Sequence, residues 1–405
     1  MNATIQCLCH VSNIKNYFQD KQLVYNDTNN KNCKLTKEFS KLVNNLWKEP
    51  VGNIRYYTPN DFKDCISGMN PLFRGIAAND SKDLIIFLYE TIHNEINKQG
   101  DYQEVNGTDE LTLFRNDYYS KNSSFLIKTF YFEVQSDLKC QSCQFSKSSY
   151  NIANVLIFPL EKVREYKTQH CIEGFMSVTL EDCFIHYQVE ELLCGENQIY
   201  CLNCNRMADA TTKNLLFTSP GVMTIILNRG KGFEFEVNFE YPLVFDIDKY
   251  IIQKAGYDNN KYELICVLSN YGESSMSGHF IAFCKSPVDN KWYCYNDSIV
   301  TQTDDPRRQS SGNYDGIPYV LYYQKVKNKE NSDKITLYFN YGEGRQFFLD
   351  VDKNMKAKDM IKALIKKYNL PNNIKLFYEK GNTKIEGDNT INSYNLKNKS
   401  IITMI

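Results

Sequence analysis

Two Cys-x-x-Cys pairs, Cys140-Gln-Ser-Cys143 and Cys201-Leu-Asn-Cys204, constrain the folding of this chain more than any other feature. Four thiolates from two such turns complete a tetrahedral shell for Zn²⁺ with no open position, so an ion held there is structural, not catalytic. Closing that shell obliges the chain to leave one pair and return to the other at a single point. The insertion between the pairs is long for a simple zinc ribbon and suits a β-finger fastened at its tip. Chance pairing of thiols or a redox pair are other readings of the same spacing. Cys194 lies near the second pair and competes as a ligand.

The rest of the chain divides by pattern. Residues 4–18 read as a helix, followed by a polar loop around 26–34, then helical spacing through Leu35, Phe39, Leu42, Val43 and Leu46. Asp80 opens a long apolar helix that runs to His93, which reads as a structural residue. From about Phe125 to Tyr323 the runs become strand-like, as in Phe130–Val134 and Val222–Arg229. Residues 325–334 hold one apolar residue among charges and amides and read as a linker. Beyond it, Ile335–Phe339 and Gln346–Val351 read as a hairpin across residues 341–344. Met360, Ile361, Leu364 and Tyr368 line one face of a helix, and Ile374–Phe377 and Ser400–Met404 read as later strands. That order fits a small β-grasp, with an unrelated α+β tail as the other reading.

The chemistry concentrates in Ser277-Gly-His279-Phe-Ile-Ala-Phe-Cys284 and Trp292-Tyr-Cys-Tyr-Asn296-Asp297-Ser298. An imidazole opens one short apolar strand and an Asn-Asp pair closes the next. A turn at Pro287–Asn290 lies midway, so folding about it brings His279 and Asn296 within a residue or two of each other. A ring nitrogen held by an Asn or Asp side chain is the base-plus-orienter half of a Cys-His-Asn/Asp site. A surface hairpin carrying an ordinary histidine would show the same residues.

Taken whole, the His279 and Asn296 strings resemble the histidine box of the ubiquitin-specific proteases. Met1-Asn-Ala-Thr-Ile-Gln-Cys7-Leu-Cys9-His10 resembles the segment after the nucleophile in that family's cysteine box, Asn-x-Gly-Asn-x-Cys-Tyr-Met-Asn-Ala. The resemblance puts the thiol two residues before Met1, at a helix amino terminus where the dipole lowers its pKa, and the oxyanion-binding Asn further upstream. Cys7 and Cys9 lie a turn or more inside that helix and make poor substitutes. Residues 78–84 resemble the family's Gln-Gln-Asp-Ala-x-Glu-Phe box, with Ala78-Asn79 in place of the two Gln.

The resemblance implies an α+β chain: a papain-like thumb-palm-fingers domain with Zn-tipped β-fingers over 1–324, a linker over 325–334, and a ubiquitin-like β-grasp over 335–405. It implies acyl transfer at the terminal glycine of ubiquitin, with His279 as base and Asn296 as orienter. Asp297 either shares that role or polarises the oxyanion region. It further implies structural Zn²⁺ on Cys140, Cys143, Cys201 and Cys204, and ubiquitin or ubiquitinated proteins as partners. Without the thiol the chain is expected to be inactive; the other class is a ubiquitin-binding pseudoenzyme or scaffold.

Charge excludes other partners. A formal net charge of −1 and a pI near 6.5 provide no footprint for nucleic acid or an anionic membrane. The strongest apolar run, Leu84–Leu88, falls far short of the ~18 residues that suggest a span. Met1–Thr4 carry no basic n-region, and 14 Cys used as free thiols fit a reducing, cytoplasmic or nuclear, compartment.

Overall fold

The computed structural model describes residues 1–29, 32–49, 56–75, 79–98, 102, 104–170, 177–230, 237–252, 260–274, 277–307, 316–326, 334–341, 345–368, 370–371, 373–378, 383–394, 396 and 400–404. It separates into two units, Met1–Val326 and Lys327–Ile405. Ala78, most of the linker (327–333) and the turn at 342–344 lie outside the described residues. The unit boundary falls just after residue 324 because Lys325 and Val326 still donate to Gly221 and Lys261 carbonyls, at 2.9 and 2.8 Å.

The first unit opens with helices. The single helix expected over 4–18 is two, α1 (Asn2–His10) and α2 (Ser12–Gln19), divided at Val11, whose backbone is extended. The break redirects α2 so that Tyr17 stacks on Phe125 at 3.8 Å and Phe18 meets Phe39 edge-on at 5.1 Å. The start of the expected polar loop belongs to a further helix, Lys21–Thr28, capped by the Asp20 carboxylate. Helices Lys34–Leu46 and Ser81–Ile96 complete the packing, the second capped by Asp80.

The central sheet runs in the order Ile299–Thr303, Trp292–Asn296, Ser277–Lys285, Lys261–Ser274, Ile317–Lys325, Val222–Asn228, Leu156–Pro159. Both of its faces are covered, which explains the near-continuous apolar runs. Alternate residues enter different cores: Ala282, Cys284, Val320 and Tyr322 face the helices, while Ile281, Phe283, Leu321 and Tyr323 face the opposite layer. That layer includes two helices in the half expected to be strand, Leu160–His170 and Leu180–Tyr187.

A four-stranded sheet, Ser146–Ala153, Phe132–Cys140, Ala210–Leu216 and Glu191–Leu193, and a ribbon of Ile199–Cys201 with Arg206–Ala208 form the remainder. Helical lobe, central sheet and this extension are the thumb, palm and fingers of the expected α+β fold.

In the second unit the order is Arg345–Asp352, Lys334–Tyr341, Ile401–Met404, Leu376–Tyr378, Thr383–Ile385. The first and last strands in sequence pair in parallel at the centre. Ile335, Leu337 and Phe339 alternate inward against Met360 and Leu364 of helix Ala357–Tyr368.

Candidate active site

His279 sits on strand Ser277–Lys285 and Asn296 ends strand Trp292–Asn296. The two pair antiparallel from Lys285↔Trp292 to Ala282↔Tyr295, around a turn in which Asn290 takes a positive φ of 59°. Past the last ladder pair, Asn296 Oδ1 reaches back to His279 Nε2 at 2.6 Å. An amide oxygen accepts only, so this bond puts the ring proton on Nε2 and leaves the Nδ1 lone pair free to take a proton. Asp297 Oδ2 lies 3.7 Å from the same Nε2, too far for a hydrogen bond.

Asp297 adopts a left-handed φ of 51° in the turn to the next strand, a conformation that Asp tolerates better than most residues. Its Oδ1 accepts from Asn2 Nδ2 at 3.0 Å, so the amino-terminal end of α1 meets the His-Asn-Asp group. Neither residue's partnership was legible in the sequence, which separates them by 295 positions. Cys7 and Cys9 are fully buried on α1.

Gly278 is required by space, not by backbone angle. A Cβ there would lie 2.0 Å from Asn270 Oδ1, and Asn270 is buried with that oxygen unpartnered. Behind α1, His10 Nε2 meets Tyr295 Oη at 2.8 Å and its Nδ1 meets the Gln6 carbonyl at 2.7 Å. Burial holds the His10 pKa down at about 4, so the ring is neutral. It lines a cleft of about 480 Å³ with Trp47, Tyr56, Tyr295, Asp297 and Ser298. His93 is also buried, bonded to Ser124 Oγ at 2.9 Å. Asp80 accepts from Tyr319 Oη at 2.8 Å.

At the fingertip the two cysteine turns share one geometry. Gln144 and Asn205, each following the second Cys of its pair, take φ of 60° and 53°. Their N–H groups bond to the Cys140 and Cys201 carbonyls at 2.9 and 2.8 Å. The four sulfurs lie within 4.8 Å of one another, with Cys140–Cys204 at 3.8 Å and Cys143–Cys201 at 3.7 Å. Tetrahedral Zn–S bonds of about 2.3 Å place sulfurs about 3.8 Å apart, so the cluster fits that ion. The Asn203 side chain and the Phe145 N–H lower the Cys143 thiol to about 6, while the neighbouring sulfurs hold Cys204 up at about 12.

The chain was also compared with known proteins. The family described as "Ubiquitin carboxyl-terminal hydrolase" matches residues 1–323. The chain belongs to that family. It is 24% identical over 340 residues to the Bos taurus protein named ubiquitin carboxyl-terminal hydrolase 2, covering 80% of this chain and 53% of that one. It is 24% identical over 359 residues to Homo sapiens ubiquitin carboxyl-terminal hydrolase 21, covering 81% and 60%. The chain thus spans about half the length of the first relative. Among solved structures it resembles the SAGA Ubp8/Sgf11/Sus1/Sgf73 DUB module bound to ubiquitin aldehyde, with a TM-score of 0.59 and 19% identity. That match covers 81% of this chain and 67% of the other. Among the described residues no helix is long and apolar enough to cross a membrane.

Proposed function

We propose that the Met1–Val326 unit is the catalytic domain of a thiol-dependent deubiquitinase acting on ubiquitin or ubiquitinated proteins. A thiolate attacks the carbonyl of ubiquitin's terminal glycine and the leaving amine departs. Water then releases the acyl group from sulfur. His279 serves as base and then acid through Nδ1, Asn296 holds the ring by Nε2, and Asp297 stabilises the imidazolium. The observation that carries this reading is the 2.6 Å bond from His279 Nε2 to Asn296, with α1 fastened beside it through Asn2 and Asp297.

The thiol belongs at the amino-terminal end of α1, two residues before Met1, where the helix dipole favours the thiolate. Cys7 and Cys9 are buried in the core and do not replace it. Four fingertip thiolates hold one structural Zn²⁺. The second unit, with its central parallel pair, is a ubiquitin-like β-grasp that follows the Met1–Val326 unit in the chain. A chain that keeps so many thiols free works in the cytoplasm or nucleus.

The test uses ubiquitin bearing an electrophilic carboxyl terminus. The 405-residue chain should bind this probe and form no adduct. Adding Asn-x-Gly-Asn-x-Cys-Tyr before Met1 should produce an adduct on the added Cys. An adduct on Cys7 or Cys9 overturns the assignment of the nucleophile, and absence of binding by both chains overturns the function.

A further inference from the structure

Three thiols meet beneath α1, and the function proposed above uses none of them. Cys7 is on α1, Cys266 on strand Lys261–Ser274 and Cys284 on the histidine-bearing strand. Cys266 and Cys284 are direct cross-strand partners, and Cys7 descends on them from the helix. Their sulfurs lie within 4.8 Å of one another, and all three side chains have zero exposure. Cys266 Sγ also approaches the Cys7 carbonyl oxygen at 3.5 Å.

Packing alone would be served as well by Ala or Val. Converging sulfurs permit two further chemistries: holding a thiophilic cation, or closing a disulfide. The walls decide between them. Leu8, Leu268, Ala282 and Val320 belong to the same buried apolar cluster as the three cysteines, and the buried side chains of Tyr89 and Tyr322 lie within electrostatic reach of Cys7. Three thiolates around a monovalent or divalent cation retain net negative charge, which a dry apolar site penalises heavily. The disulfide is neutral and carries no such penalty.

We propose that this trio is an oxidation site at which a peroxide closes a disulfide between Cys7 and Cys266, with Cys284 as the bystander thiol. The Cys7 thiolate attacks hydrogen peroxide; an S–O bond forms, the O–O bond breaks, and the departing hydroxide takes a proton to become water. The Cys266 sulfur then attacks the Cys7 sulfenic sulfur. An S–S bond forms, the S–O bond breaks, and the second hydroxide leaves as water with the Cys266 proton. Two thiols are oxidised by two electrons and the peroxide is reduced to two waters.

The assignment of roles follows from the contacts. Burial pushes the Cys7 thiol up, but hydrogen bonds from Cys266 and Cys284 outweigh it and hold Cys7 at about 5. Burial pushes Cys9, on the same helix, far up. Cys7 is the attacking sulfur because it alone of the three rides on α1, whose opening from the sheet admits the peroxide. Cys266 is the partner because its sulfur already rests on the Cys7 peptide. With every sulfur at zero exposure, the rate is set by local opening of α1 from the sheet. The bond joins residues 259 positions apart and fastens α1 to the palm.

The experiment treats the reduced, zinc-loaded 405-residue chain with hydrogen peroxide, blocks remaining thiols under denaturing conditions and maps peptides by mass. The expected product is a Cys7–Cys266 cross-link two hydrogens lighter than the reduced pair and reversed by dithiothreitol. It should form in Cys284→Ser and be absent from Cys7→Ser and Cys266→Ser, whose folding is checked by circular dichroism. The cross-linked chain should unfold at a higher temperature than the reduced chain, since the closed loop is long. A cross-link of Cys284 to either partner overturns the assignment. So do full alkylation of Cys7 and Cys266 in a folded, oxidised chain, and an unchanged unfolding temperature. A second bound zinc that Cys7→Ser removes would make the trio a metal site instead.

Discussion

Gly278→Ala should be among the most damaging methyl additions this chain can receive. The added Cβ would sit 2.0 Å from Asn270 Oδ1 and 2.8 Å from its Cγ, whereas a relaxed C–H···O contact needs about 3.3 Å. One side must yield by roughly 1 Å. Asn270 cannot easily withdraw, because it is buried and its strand pairs on both sides, with Phe280 and Ile317. The yielding side is the segment that carries His279. Overpacking of this kind costs about 1–3 kcal/mol, and a catalytic group displaced by ~1 Å loses on the order of 10²-fold in rate.

Both tryptophans, Trp47 and Trp292, belong to the first unit, so urea unfolding followed by their fluorescence reports on that unit alone. Asn270→Ala removes every atom that the new methyl would strike, and it also removes a buried oxygen with no partner, whose isolation itself costs about 1–3 kcal/mol. The single Asn270→Ala variant should therefore be close to neutral. The double variant should regain most of what Gly278→Ala loses, a coupling of at least ~1 kcal/mol. Additivity within about 0.5 kcal/mol would refute the steric account of the glycine.

Three further outcomes are expected. The purified, reduced chain should carry one equivalent of zinc by elemental analysis, and Cys201→Ser should lower that equivalent and expose the fingertip to proteolysis; a metal-free wild-type chain would contradict the quartet. In a chain supplied with the upstream thiol, His279→Ala should cost several orders of magnitude in kcat and Asn296→Ala less, with ubiquitin binding retained by both. Loss of turnover in Asp297→Ala with near-normal Asn296→Ala would transfer the orienting role to Asp297. His10, held near 4 by burial against an ordinary value of 6.5, binds its proton in the unfolded chain first. Its contribution, about 3 kcal/mol, is therefore complete above pH 6.5 and lost as pH falls from 6.5 toward 4. His10→Gln should flatten urea stability across that window, and an unchanged pH profile would count against a neutral buried ring.

What the sequence could reveal depends on how far apart the interacting residues lie along it. His279 and Asn296 are joined by one hairpin, so spacing about a turn was enough to pair them. The four fingertip cysteines were legible because a turn fixes each pair and only one closure remains. Asn2 with Asp297, His10 with Tyr295 and Cys7 with Cys266 are contacts across 295, 285 and 259 positions. No local pattern encodes them, since each arises from α1 packing on the palm. The helix Leu180–Tyr187 is a different case: Thr179 and Asp182 form a reciprocal capping box that a reading by hydrophobic period passed over.

Contacts from distant strands also explain why this site tolerates such exposure of its working groups. His279 and Asp297 remain about half exposed, yet the ring is held at Nε2, and the backbone beneath it is fixed by Asn270 filling the space that Gly278 leaves. Orientation thus comes from the buried neighbour strand while the outer edge of the ring stays open to solvent. The cost of the unpartnered Asn270 oxygen is offset by a rigid seat for the imidazole. The glycine should therefore be exchanged only together with the asparagine.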